Sequence, residues 1–305
     1  MTRVHKLRLV GGVLGLAAII VCTQVWGDSS KGRSPVQPPR SALPANFKLG
    51  EALASGKFAE NSVVTYRNSQ GETIVGVQLQ PKLEAGKPLP RDVIVLVDTT
   101  ASQAGSSYRL ARDIVKSLSG TMAADDRLAI WSVSTPDMTK CLTADRGETL
   151  HSPKSDKIAA AIKKLEDEEY CAGASDLKET FKKVQATLDT KATRQTAILL
   201  LGDGESAYSP ITNSDRFQIA QELVGQKVAF FTVPLGSRLD PTNLHGFSSM
   251  TGGAVVRLYA KEKPAELCKR LLDTISAPIL YPTRHELAKG TIEALPTKLP
   301  PLRGD

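Results

Sequence analysis

Apolar positions recur along this 305-residue chain in two alternating rhythms. Four nearly unbroken runs, at 93–97, 128–133, 197–201 and 228–233, have the length and the β-branched or aromatic content of strands buried on both faces. A run at 254–258 predicts a last strand, and 140–143 a short, more polar edge strand. Between these runs apolar residues repeat at helical spacing: Leu110, Ile114, Val115 and Leu118; Ile158, Ile162 and Leu165; Leu177, Phe181, Val184 and Leu188; Phe217, Ala220 and Leu223; Leu267, Leu271 and Ile275. Asp240 before Pro241 opens a further helix, with proline in its tolerated first position, and Gly252-Gly253 closes it. Alternation from 91 to 276 predicts an α/β domain. Its central sheet should be doubly wound and mostly parallel, with helices on both faces.

The flanks follow other patterns. Residues 1–27 are basic, then apolar, then small, the layout of a secretory signal peptide; an uncleaved anchor is the alternative. The expected location is therefore outside the cytoplasm: periplasmic, cell-surface or secreted. Four prolines mark 28–46 as a stiff linker. Within 47–90, a short helix is expected at 49–54. Two β-rich runs around a Gly-containing turn then predict a hairpin. Residues 277–305 are proline-punctuated and irregular.

Charge changes this picture little. The formal charge is +7, but Arg3, Lys6 and Arg8 fall in the leader, and aromatics are only 5% of the chain. Nothing forms the basic, aromatic-lined stripe of a nucleic-acid binder. The acidic run Glu166 to Glu169 sits at the wrong end of its helix for the macrodipole, so that helix should end early. Beyond the leader three cysteines remain, without the paired spacing of a zinc site. A Cys141–Cys171 disulfide in an oxidising compartment and three buried thiols are both open readings.

The candidate chemistry lies in three polar loops. Asp98-Thr99-Thr100-Ala101-Ser102 follows the first buried strand. Gly173-Ala174-Ser175-Asp176 opens a helix, where Ser175 is also an N-cap candidate. Gly202-Asp203-Gly204-Glu205 follows a central strand. In a doubly wound sheet such loops meet at the carboxyl edge, where strand order reverses. Two carboxylates and three hydroxyls there would form an oxygen-only site, which selects hard cations.

Those residues resemble a von Willebrand factor type A (VWA) domain with a metal-ion-dependent adhesion site, whose pattern is Asp-x-Ser-x-Ser, a distant Thr, then Asp. Here the positions are Asp98, Thr100 and Ser102, then Ser175, then Asp203; both departures keep a hydroxyl. The resemblance implies that these five residues hold Mg²⁺, or Mn²⁺ or Ca²⁺, and that the ion takes an acidic side chain from a partner protein. It also implies a strand order of 3-2-1-4-5-6 and no catalysis. A metal-free scaffold of the same fold stays open, as does, more remotely, a metal-dependent phosphohydrolase. A dehalogenase-type phosphatase would need a second Asp where Thr100 stands.

Overall fold

The computed structural model describes residues 18–19, 63–69, 71–79, 89–189, 193–287 and 289–303. The expected leader (Ala18 and Ile19 apart), the linker and the helix at 49–54 lie outside the described residues. The chain divides into two compact units. In the smaller, β1 (Ala18–Ile19), β2 (Val63–Arg67) and β3 (Thr73–Gln78) form an antiparallel sheet in the order β1-β3-β2. The expected hairpin is β2–β3, with Val63 opposite Val77 and Arg67 opposite Thr73. Its turn is held by the Glu72 amide on the Asn68 side chain at 2.9 Å. Gly71 takes φ +82°, a left-handed conformation open to glycine.

The larger unit spans chiefly Pro81–Pro282. Its strands are β4 (Arg91–Asp98), β5 (Arg127–Val133), β6 (Lys140–Cys141), β7 (Gln195–Gly202) and β8 (Val228–Pro234). They lie in the order β6-β5-β4-β7-β8, parallel except for the antiparallel edge strand β6. Each face carries three helices. Val93, Val95 and Val97 of β4 face α1 (Ser106–Thr121), α2 (Asp156–Asp167) and α6 (Pro264–Ser276). Ile94 and Leu96 face α3 (Leu177–Gln185), α4 (Asn213–Gly225) and α5 (Pro241–Thr251). A strand buried on both sides has no solvent face to make polar, which is why 93–97 reads as an unbroken apolar run. Phe181, Phe230 and Phe247 pack as a tilted trio, with ring centroids 4.9 to 5.5 Å apart.

Several expectations need correction. The sixth strand does not form: residues 254–258 make one parallel bridge, Thr232 to Val255. The bridge rests on Thr232 donating to the Ala254 carbonyl and Val256 donating to Thr232, after which the chain turns away. Phe217 is 47% exposed, and Arg216 is buried instead, its guanidinium on Asn243 and Asn213. Helix α2 runs to Asp167, two residues into the acidic run, where Lys163 pairs with Asp167 one turn on. Cys141 and Cys171 are free thiols. Cys141 packs with the core on one face of the sheet and Cys171 with the core on the other, so no disulfide joins them.

At the amino end of the strands, buried ion pairs tie β4 to its neighbours. Asp92 takes Arg127 and Arg194 at 2.5 and 2.6 Å, and Asp126 takes Arg91 at 2.6 Å. Burial pushes the Asp126 carboxyl up, but hydrogen bonds and charge from Arg91, with the Ala123 amide, outweigh it and hold the group below its ordinary value. Its stabilisation is therefore complete above the unfolded pKa, near 4, and lost as pH falls through the lower folded value. Asp126→Asn should cost about 2 kcal/mol at pH 7 by leaving Arg91 without its counter-charge, its other bonds being to neutral groups of Leu272 and Ser276. The deficit should shrink in urea melts at pH 3; an equal deficit at both pH values would contradict the assignment.

Candidate functional site

The carboxyl ends of β4 and β7 are neighbours in register, Val97 beside Leu201, so Asp98 and Asp203 emerge at the same edge of the sheet. Gly202 makes this closeness possible. A Cβ there would lie 2.5 Å from the Asp98 Cβ and 2.8 Å from its Oδ2. The chain after β4 enters a short 3₁₀ turn, Ala101–Gln103, which brings three side chains back over the strand end.

Two hydroxyls fill the space between the two carboxylates, each donating to one of them. The Thr100 amide and hydroxyl donate to Asp98 Oδ1 at 2.9 and 2.6 Å. Thr100 Oγ1 and Ser102 Oγ are 3.0 Å apart, and Ser102 Oγ donates to Asp203 Oδ2 at 2.6 Å. The Glu205 amide donates to Asp203 Oδ1 at 2.9 Å. Asp98, Thr100 and Asp203 are buried, while Ser102 is exposed. The cluster is thus a polar floor that meets solvent at Ser102.

The second loop is stitched to the first by the backbone. Ala101 donates to the Gly173 carbonyl and Ala172 to the Thr99 carbonyl. Gly173, at φ +72°, presses on Ser134, where a Cβ would sit 3.0 Å from the hydroxyl. Ser175 is buried beside the cluster, but its hydroxyl donates to the Glu205 carbonyl rather than to the other four. Nor does it cap the helix: Asp176 does, accepting from the Glu179 amide at 3.0 Å.

One residue of the site escaped the sequence reading. Gln103 is 1% exposed, and its Nε2 donates to Asp203 Oδ2 at 2.8 Å and to the Leu235 carbonyl at 3.3 Å. Gly236, at φ +112°, leaves room for it. A lone glutamine after a serine carries no periodic or motif signal, so only tertiary contact reveals it.

Electrostatically the cluster is short of positive charge. Among the described residues no lysine, arginine or histidine pairs with Asp98 or Asp203. Burial raises the Asp98 carboxyl most, the Thr100 hydroxyl opposes it and the Asp203 charge adds to it, leaving it at about 7. Among the described residues no three His, Cys, Asp or Glu side chains cluster as a metal site. The donors here are two carboxylates and neutral hydroxyls, a set that fits a hard divalent cation and not zinc bound by thiolate or imidazole.

Comparison with known proteins bears on the fold. No curated protein matches the chain. Among solved structures, a von Willebrand factor type A protein from Catenulispora acidiphila is similar at 15% identity and TM-score 0.51, over 67% of this chain and 44% of that one. Proximal thread matrix protein 1 of the mussel byssus is similar at 17% identity and TM-score 0.49, over 63% of this chain and 50% of that one; it is also known with a zinc-occupied MIDAS motif. The manganese-loaded TRAP protein of Plasmodium vivax is similar at 16% identity and TM-score 0.39, over 57% of this chain and 65% of that one. The chain spans no more than half the length of the first two. These likenesses concern the fold. A family model for the von Willebrand factor type A domain matches residues 91–256, more than half of the chain and the stretch that carries all three loops. With its five-stranded sheet, three helices on each face and Asp98 at the end of the central strand, the chain belongs to the von Willebrand factor type A domain family.

Proposed function

We propose that this domain is a non-catalytic, divalent-cation-dependent protein-binding module for an acidic group of a partner. One observation carries the reading: two buried carboxylates, uncompensated by any cation among the described residues, have between them two hydroxyls that lead to solvent. Asp98, Thr100, Ser102 and Asp203 would hold the ion, with Ser175 as the fifth candidate. Mg²⁺ is the expected ion, with Mn²⁺ and Ca²⁺ as substitutes. When bound, the cation supplies an electrophilic position that a carboxylate can occupy. The protein's own part is to hold the hydroxyls in place. Thr100 is pinned by Asp98, Ser102 by Asp203, and Asp203 by Gln103 and the Glu205 amide. An exported location belongs to the same proposal, supported by the leader-like pattern of 1–27.

Titration calorimetry tests the reading. Saturable heat is expected for one Mg²⁺ or Mn²⁺ per chain, abolished by chelator. No heat at millimolar concentration of either ion would overturn it. That outcome would favour the second reading, a metal-free scaffold. The observation behind the second reading is that the cluster already satisfies itself, with Ser102 and Thr100 both donating to the carboxylates.

A further inference from the structure

Beside the cluster, on the far side of the Ala172-Gly173 wall, lies a cavity of about 160 Å³. Thr99 and Gly173 line it from the candidate metal site, and Ser132, Ser134 and Lys140 from the edge of the sheet. Glu168, Glu169 and Tyr170, at the end of α2, form its outer wall with Met138. Its chemistry differs from that of the neighbouring cluster. The Glu169 carboxylate is 6% exposed, takes the Ser132 hydroxyl at 2.7 Å and pairs with Lys140 at 2.8 Å. Lys140 is half exposed, at 51%, and Glu168 adds a second, exposed carboxylate to the wall. The cavity thus has two carboxylates and one half-exposed ammonium. Tyr170, 69% exposed, and Met138, 45% exposed, offer a π face and a polarisable thioether at its mouth.

We infer that this cavity is a second recognition subsite, which takes an arginine side chain of the same partner that presents an acidic group to the Asp98–Asp203 cluster. The size suits it, since a hole of this volume admits a benzene-sized planar group. A guanidinium supplies forked donors for the Glu169 and Glu168 carboxylates and a flat cation for the Tyr170 ring. Shared walls fix the spacing. Thr99 and Gly173 touch the cavity, while their neighbours Thr100 and Ala101 belong to the cluster's own loop. A partner would therefore carry its acid and its arginine close together on one surface. The pairing of the two subsites rests on the proposed function; the arginine pocket itself does not.

The probe is agmatine, which has a guanidinium and no carboxylate and so needs no metal. It is titrated into the full chain without divalent ions and followed by backbone amide shifts. Shifts are expected at Glu169, Tyr170 and Gly173. Glu169→Gln should weaken binding about fivefold by removing the buried negative charge. Lys140→Met should tighten it about threefold by removing the resident cation; a merely structural role for the Lys140–Glu169 pair predicts no such gain. Because Lys140 is half exposed, this variant carries the test if Glu169→Gln does not fold. Absence of shifts at these amides, or failure of Lys140→Met to tighten binding, overturns the pocket. Agmatine binding with no calorimetric response to Mg²⁺ or Mn²⁺ supports the pocket while removing the proposed function. Mg²⁺ binding without agmatine binding does the reverse.

Discussion

Gly253→Ala is expected to lower the melting temperature of the domain by about 10 °C, corresponding to a loss of roughly 3 kcal/mol. The reason is backbone contact. A Cβ at Gly253 would sit 1.8 Å from the Phe230 carbonyl oxygen and 2.5 Å from its carbon. No side chain can yield there, so the chain itself must move. Several bonds depend on this approach: the Phe230 amide donates to Thr251 Oγ1 at 2.9 Å, and the two bonds of the Thr232–Val255 bridge follow immediately. Moving the chain would strip the outer edge of β8 and loosen the end of α5. Gly225→Ala is the control, because a Cβ at Gly225 meets nothing within 4 Å. Thermal melts of both variants decide the matter. A Gly253→Ala protein that melts with the wild type would mean that the approach is looser than described.

The second large effect is on metal. Asp98→Asn should weaken Mg²⁺ affinity at least about 100-fold, because it removes one of only two carboxylates in a neutral-hydroxyl site. In the absence of metal the same variant should melt no lower than the wild type. Asparagine keeps a carbonyl acceptor for the two Thr100 bonds while relieving a buried charge of its desolvation and of its repulsion from Asp203. The two halves of the prediction have opposite signs, which separates a site residue from a residue that merely holds the fold. Loss of stability comparable to the Gly253→Ala loss, with Mg²⁺ heat retained, would assign Asp98 a structural role.

The positions of Asp98 and Asp203 were legible in the chain because each follows a long apolar run. Such a run marks a central strand, and the carboxyl ends of central parallel strands share one edge. The pairing of Thr100 and Ser102 with them was legible from spacing, since a tight turn returns alternate side chains over the strand end. Ser175 was legible only as a position. Its hydroxyl direction, toward the Glu205 carbonyl, depends on how two loops distant in sequence meet. Gln103 gave no signal, and the glutamate pocket gave a misleading one. The run 166–169 reads only as an acidic end to its helix, yet Glu169 turns inward to Ser132 and Lys140.

The chain by itself determined the α/β alternation, the parallel core, the hairpin and the end of α5 at Gly252-Gly253, since periodicity and backbone permissiveness are local properties. Tertiary structure alone decided three other matters. The last expected strand shrinks to a bridge at Thr232–Val255, next to the close approach of Gly253 to Phe230. Cys141 and Cys171 fall on opposite faces of the sheet, although nothing in their spacing says so. Gln103 and Glu169 become buried partners of groups about 100 and 37 residues away. In each case the deciding quantity is a distance between segments remote in sequence, set by how layers pack and invisible to any pattern read along one of them.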